Sequence, residues 1–102
     1  VEDLAKACTF LMNLDDKKFT KSANPMISHI NVGSGKEISI KETSMLIKEI
    51  VNYHGNLVFN SNMPDGANRK LLDISKIQHL GWSPSIGLED GLKKTYNWFL
   101  NN

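Results

Sequence analysis

The chain predicts an α/β to α+β fold, and three observations carry that prediction. Apolar residues recur at helical spacing near both ends and in the middle. Between those stretches lie two short strand-like runs, Ile27 to Val32, which alternates apolar and polar residues, and Leu57-Val58-Phe59, which is apolar throughout. Finally, 102 residues with 40% hydrophobic and 23% charged side chains suit one small core rather than a disordered segment or several domains. Helical and strand-like elements in alternation imply helices covering a small sheet.

Taken in order, Leu4, Cys8, Leu11 and Met12 form an apolar stripe, with Asp3 placed to cap it, predicting a helix over residues 3–14. Cys8 lies on that stripe and reads as a buried structural thiol, because nothing nearby supplies the electropositive setting a reactive one needs. Residues 15–26 show no periodicity and read as a loop whose lysines form a solvated face. Ile27 to Val32 follows as a strand with His29 on its polar phase, ended by Gly33-Ser34-Gly35. That glycine pair is a weak match to the dinucleotide fingerprint, since Ile38 stands where the third glycine belongs; a glycine turn leaving a strand is the simpler reading.

Ser39-x-x-Glu42 is a capping box, and Thr43, Leu46, Ile47, Ile50 and Val51 carry its helix to about His54, with Gly55 as the stop. After the Leu57 strand, Asp73 is placed to cap a short helix bearing Ile74, Ile77 and Leu80. Gly81 closes that helix, and Trp82 is set to touch Ile77. Ser83-Pro84 prevents its continuation. Leu88, Leu92, Thr95, Tyr96 and Phe99 space out a last helix, in which Tyr96, Trp98 and Phe99 read as core or interface packing.

Composition excludes several functions. Twelve Lys and Arg against eleven Asp and Glu leave a formal charge of +1, far from the basic footprint that nucleic acid requires. No apolar run approaches the roughly 20 residues of a membrane span. A single cysteine cannot form an internal disulfide, and a reducing cytoplasm fits it. His29, His54 and His79 each stand alone, so no metal site is expected. The opening Val1-Glu2-Asp3 reads as cut from something longer.

One segment carries more chemistry than the rest. In Met63-Pro64-Asp65-Gly66-Ala67-Asn68-Arg69-Lys70-Leu71-Leu72-Asp73, turn formers precede two adjacent cations. Pro64 presets a turn and Gly66 offers a permissive position, so Arg69 and Lys70 are placed to meet an anion. The alternative is a surface loop with two solvated cations, and residue types leave both readings open.

Together with Val1-Glu2-Asp3-Leu4-Ala5, Ser28 to Gly35, Leu80-Gly81-Trp82-Ser83-Pro84, and Gly91-Leu92 with Tyr96 and Trp98, this segment resembles the C-terminal third of an extended short-chain dehydrogenase/reductase. The Pro-Asp-Gly run followed by Arg-Lys-Leu-Leu-Asp is most similar to the GDP-L-fucose synthase family, whose NADPH-dependent members epimerise and reduce GDP-4-keto-6-deoxy-mannose. The resemblance implies that residues 1–34 are the tail of a Rossmann domain, a helix plus its last strand, and that 35–102 form the small nucleotide-sugar-binding domain. It implies Asp65, Arg69 and Lys70 as substrate-binding residues, with Asp65 suited to guanine's donors and the cations to the diphosphate. It further implies a homodimer, NADP(H) as cofactor of the intact parent, and an N-terminal cofactor domain as partner.

The family pattern usually has Thr-Pro where this chain has Ala67-Asn68, and a lysine where it has Met63. No catalytic or cofactor-binding residue is assigned here, because the Tyr-x-x-x-Lys pair is absent: Leu57 follows Tyr53 and Leu100 follows Tyr96 at that spacing. The fragment alone is therefore expected to bind no NADP(H) and to be inactive. Another nucleotide-sugar epimerase or dehydratase, or a non-catalytic α/β interaction module, are the alternative functions.

Overall fold

A computed structural model describes residues 1–23, 26, 28–64, 66, 67 and 69–102. The helices are α1 (Glu2–Met12), α2 (Asp16–Ser22), α3 (Ile40–Ile50), α4 (Ser75–Leu80) and α5 (Leu88–Asn101). Among the described residues there is no strand, which corrects the α/β to α+β expectation for this chain taken alone. It divides into two compact units: Val1–Gly35 with Leu71–Gly87, and Lys36–Lys70 with Leu88–Asn102.

The first unit is built on Ala7, Ile74, Ile77 and Trp82, with Phe10, Leu11, Ile30 and Val32 packed against them. Ile77 is 0% exposed and Trp82 9%. The close of α4 is as the sequence predicts. Gly81 takes φ 109°, and the N–H of Trp82 donates to the carbonyl of Ile77 at 3.1 Å. Only a residue tolerant of the left-handed region turns the chain this way, and the turn drops the indole onto Ile77. At the other end of α4 the Asp73 carboxylate accepts from the N–H of Ser75 at 2.9 Å, although Ile74 intervenes before the helix begins.

The face that α1 buries differs from the expected one. Ala7, Phe10 and Leu11 turn inward while Cys8 is exposed, as are Leu4 and Met12. Two overlapping apolar stripes run along this helix, and the one containing bulky Phe10 is the one its neighbours accept: a Cβ built on Gly81 would stand 4.0 Å from the Phe10 ring. Asp3 does not cap its own helix, whose N-cap is Val1 with no side-chain cap. Instead its carboxylate accepts from the N–H of Ser85 (2.8 Å), the hydroxyl of Ser85 (2.8 Å) and the N–H of Ile86 (2.8 Å). Charge-assisted bonds to the Ser85 and Ile86 N–H groups, distant in sequence, take the place of a local cap.

Residues 16–22, expected as loop, form α2. Its signal is terminal rather than periodic: the Asp15 side chain accepts from the N–H of Lys17 at 2.8 Å, Asp16 lies in the first turn and Lys21 in the last. Residues 28–32 are not a strand, because no neighbouring strand among the described residues supplies a ladder. The alternation still acts in packing. Ile30 and Val32 lie against the core, His29 is exposed, and Asn31 donates its side-chain amide to the carbonyl of Asp73 at 3.2 Å. Gly35 has φ 66°, and a Cβ there would come within 2.7 Å of Ile74, so the glycine turn is required both by conformation and by space.

In the second unit the capping box of α3 forms as predicted. Glu42 N–H donates to Ser39 Oγ at 3.1 Å, and Ser39 N–H donates to Glu42 Oε2 at 2.9 Å. The helix stops earlier than expected: Asn52, at φ 53°, takes the left-handed position in place of Gly55, and Tyr53 N–H donates to Lys48 O at 2.9 Å. Asparagine tolerates that region better than most residues. The carbonyl of Gly55 instead accepts the Lys48 ammonium at 2.6 Å. α5 packs against α3 with Leu92 and Tyr96 half-buried. Trp98 and Phe99 are 66% and 69% exposed, so the expected core packing fails for them within this chain. Leu57-Val58-Phe59 is likewise exposed and unladdered rather than a buried strand.

Two outcomes are expected. Gly81→Ala places a Cβ in the left-handed region and should lower unfolding stability by about 1–2 kcal/mol, read from the denaturation midpoint. Hydrogen bonds from Ile86 and Ser85 hold the Asp3 carboxyl below its ordinary value. A carboxylate depressed by folding contributes stability above its unfolded pKa and loses it as pH falls through the folded one. Asp3→Asn should therefore flatten the acid limb of the stability profile below the usual carboxylate range, and an unchanged limb would exclude this role.

Candidate functional site

The segment that the sequence singles out is entered through a tight turn. Asn62 N–H donates to the Asn60 side chain at 3.0 Å, and Met63 N–H reaches Asn60 O at 3.4 Å. This side chain mimics a backbone turn and reverses the chain just before Pro64. A Cβ at Gly66 would meet nothing within 4 Å, so crowding does not demand glycine there. Asp65, one of the predicted substrate-binding residues, lies outside the described residues, as does Asn68.

Arg69 and Lys70 are both exposed. Arg69 is anchored: its Nε donates to both carboxylate oxygens of Glu37, at 3.1 and 3.0 Å. The pair joins the start of the second unit to the motif across a separation of 32 residues. The structure thus offers one cation tethered through its Nε edge and, next to it in sequence, an exposed lysine. A fork and a point charge are complementary means of gripping a phosphate. Glu37 is absent from the sequence-level site, and no local signal marks it, because an acid in a post-glycine stretch becomes a partner only when the chain returns.

Among the described residues no group of His, Cys, Asp and Glu could hold a metal ion, and no helix is long and apolar enough to cross a membrane. The Cys8 thiol is exposed and unpaired with another cysteine.

No family model matches the chain. Individual proteins do. The chain is 48% identical, along its whole length, to a protein named putative GDP-L-fucose synthase 2 of Arabidopsis thaliana, and 44% identical to the GDP-L-fucose synthase of Escherichia coli. It spans 28% and 32% of those two relatives' lengths. Among solved structures, a GDP-6-OMe-4-keto-L-xylo-heptose reductase from Campylobacter jejuni superimposes with a TM-score of 0.85 at 42% identity, over 97% of this chain and 29% of that one.

Along its whole length the chain is thus similar to GDP-L-fucose synthases and to a GDP-sugar reductase, and it spans less than a third of each. A GDP-mannoheptose C4 reductase from Campylobacter jejuni, solved with NADP bound, also matches, at a TM-score of 0.78 and 40% identity, over 96% of this chain and 29% of its own. A GDP-D-glycero-L-gluco-heptose synthase from Campylobacter jejuni, solved in the presence of NADPH, matches at a TM-score of 0.81 and 41% identity, over 96% of this chain and 28% of its own.

The Glu37–Arg69 pair leaves its side chains 44% and 67% exposed. Exposed ion pairs contribute little to stability, so Glu37→Ala should change unfolding free energy by less than about 1 kcal/mol, as measured by chemical denaturation. A larger loss would mean that the pair holds the unit together.

Proposed function

We propose that this chain is the C-terminal, substrate-binding part of an NADPH-dependent enzyme that converts GDP-4-keto-6-deoxy-mannose to GDP-L-fucose by epimerisation and reduction. The observation that carries the reading is 48% identity over the full chain to a protein named putative GDP-L-fucose synthase 2, in a sequence that carries Asp65, Arg69 and Lys70. In this reading residues 1–34 finish the cofactor domain and 35–102 form the sugar-nucleotide domain. NADPH supplies the hydride from the remainder of the enzyme. This chain's own task is to hold the substrate: Lys70 and Arg69 neutralise and orient the diphosphate, and the Asp65 carboxylate accepts from guanine or a sugar hydroxyl.

The chain has neither the Tyr-x-x-x-Lys pair nor the dinucleotide glycine fingerprint, so the isolated piece turns over no substrate. The enzyme it belongs to works as a cytoplasmic homodimer. The similarity to Campylobacter jejuni heptose reductases favours a second reading, in which the substrate is another 4-keto GDP-sugar. Product analysis of the full-length protein separates the two, and any such turnover excludes a non-catalytic module.

In the full-length protein, Lys70→Ala should raise KM for the GDP-sugar roughly tenfold or more, the scale of one lost charge-assisted bond, and leave KM for NADPH unchanged. Asp65→Ala should weaken GDP binding in calorimetry. Equal losses towards sugar nucleotide and cofactor would point to general destabilisation, and an unaltered GDP affinity would remove Asp65 from the site.

A further inference from the structure

We propose that Glu37 is a positioning residue for the sugar-nucleotide site, holding Arg69 by its Nε edge so that the terminal amino groups of the guanidinium are presented to the diphosphate. The inference rests on the reading of Arg69 and Lys70 as diphosphate ligands given above. The contact engages Nε with both Glu37 oxygens, at 3.1 and 3.0 Å. The two Nη groups, which carry four of arginine's five donors, are not committed to that carboxylate. An unrestrained arginine samples many rotamers and must be ordered when ligand arrives, whereas one already held at Nε has lost much of that freedom beforehand.

Glu37 cannot itself bind a phosphate, being of the same charge. Its repulsion is blunted by two features: the guanidinium stands between it and a ligand on the Nη side, and its side chain is 44% exposed, where water and salt screen it. Preorganisation therefore outweighs repulsion. The position of Glu37 suits the role, since it precedes the Ser39 capping box of α3, which fixes the backbone on that side.

The test is calorimetry with GDP, and separately with NADPH, on the full-length protein carrying this sequence. Glu37→Ala should weaken GDP binding roughly 2- to 10-fold, the equivalent of ordering one rotamer-rich side chain on binding. Glu37→Gln, which keeps an acceptor for Nε, should restore most of that loss. Arg69→Ala should weaken GDP binding further, and adding Glu37→Ala to it should cost nothing more, because the two act as one unit. NADPH affinity should stay constant throughout. GDP binding by Glu37→Ala that equals or exceeds wild type, while Arg69→Ala is impaired, overturns the positioning role alone. Arg69→Ala without effect overturns the reading of the site and this inference with it. Parallel losses for GDP and NADPH mean that Glu37 acts on folding and also overturn the proposal.

Discussion

Ile77, fully buried, is the point about which the first unit is arranged. Its carbonyl accepts the N–H of Trp82 across the Gly81 turn, its side chain lies in the same core as the indole, and Ala7 of α1 and Ile74 close the cluster. One backbone conformation, the left-handed Gly81, makes this possible by bringing the chain back on itself within a single turn of α4. The helix it ends is too short to persist alone, so α4 exists because Ile77 and Trp82 are buried together. α1 then chooses its inward face to suit Phe10 near that turn, and Asp3 is carried to where it grips Ser85 and Ile86.

Little else is buried. Among the described residues the buried apolar set is Ala7, Ala23, Ile74, Ile77 and Trp82, while Leu4, Met12, Val58, Trp98 and Phe99 are exposed. Regular structure must then be specified by its ends as well as by its core. The Ser39–Glu42 box, the Asn52 and Gly81 left-handed stops, and the Asp15 cap all satisfy terminal backbone groups locally. Glu42 and Asp73 both have carboxyls held below their usual range, Glu42 by the Ser39 hydroxyl and backbone and Asp73 by the backbone and side chain of Ser75, which marks both contacts as charged hydrogen bonds.

The candidate site shows the same division between local and distant information. Arg69 and Lys70 are legible in sequence as adjacent cations after a turn. Glu37 is not legible, since its pairing with Arg69 depends on how residues 36–70 return upon themselves. Cys8 illustrates the converse. Its place on an apolar stripe suggests burial, but helical spacing defines two candidate faces on α1, and periodicity cannot say which one meets a partner.

What the sequence determined by itself is whatever depends on neighbours a few positions apart: the capping box at Ser39 and Glu42, the Gly81–Trp82 closure and the turn at Gly35. The tertiary structure decided the rest. It decided that Ile30 and Val32 pack without becoming a strand, that α1 buries Phe10 rather than Cys8, that Asp3 holds a loop instead of a helix end, and that Glu37 takes Arg69. The reason is physical: caps and turns close hydrogen bonds over a few residues, whereas strands, buried faces and ion pairs require a partner that only the folded chain supplies.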